Sequence, residues 1–325
     1  MRFCDSVNSR RMKIFFILRI FVFSVFSFLV LTALVGCRTT RSSTESLRKE
    51  ISGIIENKEA IVGIAIVGDD GRDTLFWNGH RHCPLQSVFK YHIALTVLSE
   101  IDKGRLTLDE VVEVKKGDLL PEEFWSPLRD ENPEGGNFTI RKLIQYSVCQ
   151  SDNVACDVLI RLVGTPKTIE EFFKSNGIQD IAINVNEKDM QAEWDNMFTN
   201  WTTPMASTET LRMFYLNQGH ILSQASHEFF WQTMKETTTG KGRLRGLLPQ
   251  ETIVAHKTGS SGTSDDGLTP ATNDVGIVFL PGGDYFIISV FVTDSKEDDE
   301  TNEEIIARIA RAAYDYFSGN KFAGR

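Results

Sequence analysis

The chain lacks the sequence features of several common protein classes. It has no long basic tract, and its 325 residues carry a formal net charge of −9. An acidic chain of this kind is a poor candidate for nucleic-acid binding. It also lacks internal repeats, low-complexity arrays and a glycine-rich phosphate loop, which argues against repeat folds and against nucleotide-binding enzymes.

Cysteine and histidine are scarce, with five Cys and six His. The His80-Arg81-His82 segment has no complementary ligands at a zinc-like spacing, so we predict no metal and no cofactor. No histidine stands in the context of a Ser-His-Asp triad. Three of the five cysteines lie beyond the N-terminal segment, and we predict that they are buried thiols without a disulfide: Cys83, Cys149 and Cys156.

Residues 1–37 have the pattern of an export signal. Basic residues precede an apolar run over residues 14–35, as in the n- and h-regions of a signal peptide. The run ends in Leu34-Val35-Gly36-Cys37, which resembles the lipoprotein box of bacterial exported proteins. That resemblance implies cleavage before Cys37, lipidation of its thiol and a short polar tether at residues 38–44.

Two alternatives for this segment stay open. About 20 apolar residues can span a bilayer, so the run could remain as an uncleaved anchor. Met12 could also be the true start, which would shorten the basic region. The favoured prediction is an exported monomer, held by its lipid on a membrane surface that faces the periplasm.

Strand-like segments occupy both ends of the remaining chain, and helical periodicity fills the middle. We predict an α/β plus all-α architecture with two lobes. Residues 45–84 and 240–325 form an antiparallel sheet covered by terminal helices, and residues 85–239 form an inserted all-helical lobe. The predicted strands are 61–67, 73–77, 253–257, 274–280 and 285–292. The predicted helices are 46–57, 87–101, 139–146, 154–162, 168–175, 207–217, 226–237 and 301–317.

Three short clusters, far apart in the chain, together indicate one active site. They are Ser87-Val88-Phe89-Lys90, Ser151-Asp152-Asn153 and Lys257-Thr258-Gly259. A Ser-x-x-Lys pattern is expected about once in a chain of this size, and Ser46-Leu47-Arg48-Lys49 is a second copy that we interpret as helix surface. The other two triplets are much rarer, so their occurrence in this order favours a shared function.

The first cluster suits a serine nucleophile. Ser87 opens a predicted helix, where unpaired backbone N–H groups favour a developing oxyanion. Lys90 lies three residues on and therefore on the same helical face. A serine hydroxyl needs a neighbouring base, and Lys90 can act as one directly or relay the proton onward. Without the other clusters, a helix cap and a solvated lysine would explain the same residues.

The second and third clusters suit leaving-group and substrate contacts. The Ser151 hydroxyl can carry a proton to a leaving nitrogen, and the Asn153 amide can grip an acylamino group. Asp152 is assigned mainly to helix capping. Lys257, Thr258 and the following hydroxyls form a natural carboxylate site. Gly259 permits close backbone approach, and the N–H groups of Ser87 and Ser260 form a candidate oxyanion hole.

These motifs identify a family resemblance that covers essentially the whole mature chain. The chain resembles class A serine β-lactamases, and within them the cephalosporinase branch that includes extended-spectrum enzymes. Trp125-Ser126-Pro127 is similar to one wall of the family's site. Tyr146-Ser147-Val148, leading into the run from Ser151 to Asp157, also resembles that branch. The resemblance implies the two-lobed fold shared with DD-peptidases. It also implies hydrolysis of β-lactam antibiotics, with cephalosporins preferred.

The family also implies a deacylating glutamate on an omega loop, in the context Glu-x-x-Leu-Asn. The best match is Glu187-Lys188-Asp189-Met190-Gln191, where Met replaces Leu and Gln replaces Asn. Glu187 is the predicted base, and Gln191 is predicted to help hold the water. Glu193 is the competing candidate.

The family commonly places an arginine near the substrate carboxylate, on the strand after Lys-Thr-Gly. That strand has none here, and Arg243 matches an alternative position seen in some members. A solvated basic turn is the other interpretation of Arg243. Gln86 and Ser261 stand where the carbapenemase branch has paired cysteines, so carbapenem hydrolysis is not favoured.

Two rival functions share these motifs. A penicillin-binding DD-peptidase would act on cell-wall peptides, and Glu187 and the chain length argue against it. A β-lactam sensor would acylate Ser87 and stop. The predicted partner is thus a small β-lactam, with the membrane as a second partner and no nucleic acid.

Overall fold

The central sheet is built from both ends of the described chain. The computed structural model describes residues 44–319. Five antiparallel strands lie in the order β2-β1-β10-β9-β8. They are β1 (Ile61–Gly68), β2 (Thr74–Trp77), β8 (Val254–Ser260), β9 (Thr269–Phe279) and β10 (Tyr285–Ser295).

Strand pairing follows from sequence patterning and turn chemistry. β9 and β10 are joined by a turn in which Gly282 and Gly283 take φ of 98° and 95°, a conformation that glycine adopts without steric cost. The first strand pairs with β10 from Ile61 opposite Thr293 to Gly68 opposite Phe286. Both faces of the central strands are covered, so their apolar runs are nearly continuous rather than alternating. β8 is an edge of the sheet.

Terminal helices cover one face of the sheet. α1 (Thr44–Ile55) and α10 (Asp299–Gly319) pack their apolar sides together, with Ile51, Ile306 and Ile309 fully buried in one cluster with Ile64. Thr44, the last residue of the predicted tether, is already the first residue of α1. The predicted signal peptide and Cys37 lie outside the described residues. Within residues 44–319, no helix is long and apolar enough to cross a membrane.

The helical lobe covers the other face. Its helices are α2 (Phe89–Asp102), α3 (Pro127–Glu131), α4 (Ile140–Cys149), α5 (Asn153–Val163), α6 (Pro166–Ser175), α7 (Glu187–Ala192), α8 (Pro204–Leu216) and α9 (Gln224–Lys235). α2 is central, since Phe89 to Ser99 are all buried. A second core cluster joins it to the sheet through Val275, Ile277 and Phe291.

Short strands within this lobe were not predicted. β4 (Val111–Lys115) pairs with β5 (Gly135–Thr139) as a separate two-stranded sheet. β3 (Cys83–Pro84), β6 (Ile181–Ala182) and β7 (Trp201–Thr202) form a small three-stranded sheet. The middle of the chain is therefore not purely helical. The remaining predicted helices and strands exist, with ends shifted by a few residues.

Asp152 joins α5 to the segment before it. One carboxylate oxygen accepts hydrogen bonds from Ser126 Oγ at 2.9 Å and Leu128 N at 2.7 Å, and the other accepts from Ala155 N at 2.8 Å. Asp152 is thus the N-cap of α5, as predicted, and it also holds α3 in place.

The Asp152→Ala variant should lose about 3 kcal/mol or more of unfolding free energy, because three buried donors lose their acceptor. Urea unfolding measures the loss. Asp130→Ala is the matched control, since Asp130 is exposed on α3, and it should change stability by less than about 0.5 kcal/mol. Equal effects of the two substitutions would contradict this role.

Candidate active site

Ser87 lies in a tight turn before α2 rather than in the α-helix itself. Gln86–Val88 form a 3₁₀ turn, and Gln86 adopts φ of 45°, which is rare for a residue with a side chain. Asn273 Nδ2 donates to Pro84 O at 2.8 Å, which ties this turn to β9. The predicted helix start at Ser87 is therefore corrected to a 3₁₀ turn that leads into α2 at Phe89.

Lys90 brings the first two clusters together. Its Nζ lies 2.8 Å from Ser87 Oγ, 2.9 Å from Ser151 O and 2.5 Å from Asn153 Oδ1. It also forms an ion pair of 2.7 Å with Glu187 Oε1, and both side chains are almost completely buried. A buried ammonium group needs such partners, because unpaired burial of a charge is very costly.

Glu187 is in contact with Ser87, the predicted nucleophile. Its Oε1 accepts a hydrogen bond from Ser87 Oγ at 3.4 Å, while Gln191 Nε2 donates to Oε2 at 3.5 Å. Glu187 is the first residue of the short helix α7, so the predicted loop contains a helical turn here. Glu193 is exposed at the end of that helix. The structure thus brings Glu187, rather than Glu193, into contact with Ser87.

Ser151 and Lys257 form a second buried contact. Lys257 Nζ donates to Ser151 Oγ at 2.9 Å and to Thr258 O at 2.9 Å. Ser151 takes φ of 61°, which turns its hydroxyl out of the helical path between α4 and α5. Burial, together with the positive charge of Lys90, holds the pKa of Lys257 well below its usual value. A lysine of this kind can exchange protons with the Ser151 hydroxyl.

The edge strand β8 presents backbone donors to Ser87. Gly259 lies so close to the turn that a Cβ there would come within 2.6 Å of Leu85 O. Ser261 N donates to Ala271 O at 2.9 Å. Because hydrogen-bonded and non-bonded pairs alternate along an antiparallel ladder, the N–H of Ser260 points away from β9 and toward the open edge. This orientation fits the predicted oxyanion role.

The Arg243 guanidinium at the site is bound by other protein groups and is not a free charge. Its Nη2 donates to Ser260 Oγ at 2.7 Å, and its Nη1 donates to the carbonyls of Gly259 and Asn273. Its Nε pairs with Glu303 of α10 at 3.0 Å. Arg243 is therefore not a solvated basic turn. Beside it, the hydroxyls of Thr239 and Thr258 lie 2.6 Å apart.

A cavity of about 480 Å³ is lined by Ser87, Ser151 and Arg243, and the exposed residue Trp125 forms one wall. The Trp125 indole donates to Gln150 O at 2.8 Å, and its carbonyl accepts from Asn153 N at 3.2 Å. The wall is thereby fixed to the Ser151 cluster. The cavity is lined by Ser87, Glu123, Phe124, Trp125, Ser151, Asn153, Gln191, Thr239, Gly240, Arg243, Thr258, Gly259, Ser260, Ser261 and Gly262.

Several groups that shape the site were missed from the sequence. Asp157 accepts from the N–H groups of Glu187 and Lys188 at 2.7 and 3.0 Å. Thr239, Asn273 and Glu303 also make the contacts described above. Asp157 ends the run of residues 151–157 but was given no role there, and the other three belong to no short motif. Only the spatial contacts identify what these residues do.

Across residues 44–319, no group of three or more His, Cys, Asp and Glu side chains could hold a metal ion. Cys83, Cys149 and Cys156 are buried free thiols.

Comparisons with known proteins decide the family. The sequence model described as the beta-lactamase enzyme family matches residues 46–317. Beta-lactamase VEB-1 of Pseudomonas aeruginosa is 44% identical over 278 residues, which are 86% of this chain and 92% of that protein. The chain belongs to the β-lactamase enzyme family.

Further relatives agree. Extended-spectrum beta-lactamase PER-1 of Pseudomonas aeruginosa is 42% identical over 85% of this chain and 89% of that protein. The crystal structure of a beta-lactamase from Chitinophaga pinensis DSM 2588 is 44% identical, with a TM-score of 0.80 over 83% of this chain and 98% of that one. These matches confirm the predicted fold and the class A serine type. This β-lactamase hydrolyses β-lactams through a serine acyl-enzyme.

The buried carboxyl of Asp157 predicts that the stability of this β-lactamase depends on pH. Burial, reinforced by the negative charge of Glu187, raises the pKa of Asp157 to about 7, well above the usual value for an aspartate. A carboxyl whose folded pKa is raised contributes stability below its unfolded pKa, and that contribution is lost as the pH rises through the folded value.

Relative to Asp157→Asn, the wild type should therefore lose several kcal/mol of unfolding free energy between about pH 4 and about pH 7. Urea unfolding of both proteins at pH 4, 5.5 and 7 measures the difference. A difference that stays constant over this range would contradict the raised pKa.

Proposed function

We propose that Ser87 is the nucleophile that opens the β-lactam ring. Its Oγ bonds to the carbonyl carbon, and its proton leaves through Lys90, Glu187 and water. The N–H groups of Ser87 and Ser260 stabilise the developing oxyanion. The bond from the carbonyl carbon to the ring nitrogen then breaks, and Ser151 delivers a proton to that nitrogen. One proton leaves Ser87 and one reaches nitrogen, so the net charge of the site is unchanged.

Glu187 then releases the product. The carboxylate takes a proton from a water, the water oxygen attacks the ester carbonyl, and Ser87 Oγ leaves and regains a proton. Gln191 lies at the carboxylate oxygen that faces away from Lys90. It can orient that water as the family's asparagine does. The observation that carries this proposal is the meeting of Ser87, Lys90 and Glu187 within 3.4 Å.

The preferred substrates are cephalosporins, including extended-spectrum ones. Support comes from relatives such as PER-1 and TLA-1, whose names describe them as extended-spectrum enzymes. Lys257, Thr258 and the Arg243-bound hydroxyl of Ser260 bind the substrate carboxylate. Asn153 binds the acylamino group, and Trp125 packs on the substrate face. Gly259 allows the edge strand to approach the ligand.

Turnover distinguishes this function from the two rivals. A sensor or a penicillin-binding DD-peptidase would retain the acyl group because it lacks an efficient deacylating base. The contact between Glu187 and Ser87 supports turnover instead.

Glu187→Ala should hydrolyse a chromogenic cephalosporin at least about 10²-fold more slowly, since a positioned general base contributes about that much. Intact-protein mass spectrometry should then show a long-lived acyl adduct. Glu193→Ala is the matched control, and it should turn over normally without an adduct. Normal turnover by Glu187→Ala would overturn the assignment, and a persistent adduct on the wild type would favour the sensor.

We also propose that the enzyme is exported and anchored as a monomeric lipoprotein at a periplasm-facing membrane surface. The lipoprotein-box sequence ending in Cys37 supports this proposal, and so do the antibiotic substrates, which act outside the cytoplasm.

Cys37→Ser should abolish incorporation of a labelled fatty acid and move activity from the membrane fraction to the soluble fraction. The reason is that a thiol is needed for the lipid bond. Cys4→Ser is the matched control and should keep both label and location. Retention of label by Cys37→Ser would contradict the anchor.

A further inference from the structure

A buried His–Asp pair lies behind the edge strand of the active site. His256 Nδ1 is 2.9 and 3.0 Å from the two carboxylate oxygens of Asp274, and neither side chain is exposed. His256 lies on β8 directly before Lys257, and Asp274 lies on β9 opposite Thr258. Because side chains alternate along a strand, His256 points to the face opposite Lys257, toward the terminal helices. Neither residue takes part in the mechanism above.

The backbone makes room for this pair. Gly276 lies opposite His256 in the register of β8 and β9. A Cβ at Gly276 would come within 2.4 Å of Ala255 O and 2.7 Å of His256 Cβ. A larger residue there would displace the strand that carries Lys257. The space occupied by His256 thus depends on a glycine in the neighbouring strand.

The pair also reaches the turn that carries Arg243. Asp274 Oδ2 accepts a hydrogen bond from Leu244 N at 3.2 Å. The turn is closed by bonds from Arg243 N to Gly240 O and from Gly246 N to Arg243 O. Leu244 itself is fully buried in the apolar cluster beneath the sheet. Asp274 therefore holds the backbone next to Arg243 in position.

Arg243 connects the position of this turn to the residues that line the cavity. Its guanidinium binds the carbonyls of Gly259 and Asn273 and the hydroxyl of Ser260. Ser260 lines the substrate cavity. Glu303 of α10 forms an ion pair with the same guanidinium. The net charge that the pair presents to a ligand is therefore small, and ligand binding depends mainly on where the hydrogen-bond donors lie.

Asp274 also acts electrostatically across the sheet. Lys257 is buried, and its described contacts are the oxygens of Ser151 and Thr258. The negative charge of Asp274 opposes the lowering of the Lys257 pKa that burial causes. Asp274 thereby favours the charged form of Lys257, which directly precedes the cavity-lining Thr258.

We propose that His256 and Asp274 form a positioning pair for recognition of the substrate carboxylate, acting through Arg243, Ser260 and Lys257. His256 holds the Asp274 carboxylate by its Nδ1–H, and the carboxylate holds the Arg243 turn. The pair sets affinity for anionic β-lactams without touching the substrate. This inference rests on the proposed function.

The test compares one chromogenic cephalosporin as its free acid and as its methyl ester. His256→Phe and Asp274→Asn should lower kcat/KM for the acid about tenfold, mainly through KM, because a buried charge-assisted bond is lost. The ester lacks the anion, so its kcat/KM should change much less. His256→Asn keeps an N–H near the Nδ1 position and should retain most of the preference for the acid.

His92→Phe is the matched control, since His92 is also fully buried but lies in α2 with both ring nitrogens unpartnered. It should leave the acid-to-ester ratio unchanged. Equal losses for acid and ester in the Asp274 variant would overturn the inference, because a structural role would affect both. If the wild type hydrolyses neither form, the proposed function fails. If it hydrolyses both without preference, only the positioning inference fails.

Discussion

One buried ammonium group joins the parts of this active site. Lys90 Nζ contacts oxygens of the 3₁₀ turn that contains Ser87, of the Ser151 segment and of the helix that begins at Glu187. An ion buried at this depth is stable only when its partners are close and well oriented. The requirement to pair Lys90 therefore constrains three segments that are separated by many residues in sequence. The same contacts place Ser87 beside Lys90 and Glu187, the two side chains proposed to accept its proton. The pairing that stabilises the buried charge therefore also serves the proposed reaction.

A second layer of buried charge surrounds this group. The positive charge of Lys90 adds to burial in lowering the pKa of Lys257, and the negative charges of Glu187 and Asp274 oppose that lowering. Asp157 holds the start of α7 through two backbone N–H groups, although its own charge is disfavoured by burial and by Glu187. These unfavourable charge interactions and the burial of charge lower the folding stability, and packing elsewhere in the protein must offset that loss. Buried groups with opposed pKa tendencies are a known mark of catalytic sites.

The sequence predicted the parts of the site that belong to short motifs and missed those that arise from packing. Ser87, Lys90, Ser151 and Lys257 were found because their neighbours form recognisable patterns, and Glu187 was found despite its altered context. Asp157 and Asn273 act through contacts across 30 and more than 180 residues, so the neighbouring sequence does not reveal these contacts. The two-stranded β4–β5 sheet was missed because β5 begins with two glycines, which have low strand propensity. The sheet was predictable because its apolar runs are long and its main turn contains paired glycines.

Lys90 and Glu187 stabilise each other as a buried ion pair. A double-mutant cycle on urea unfolding measures this coupling, with Lys90→Met, Glu187→Gln and the combined variant. The losses of the two single variants should fail to add by more than about 2 kcal/mol, because each single variant leaves one buried charge unpaired. Additivity within about 0.5 kcal/mol would show instead that the two groups are energetically independent.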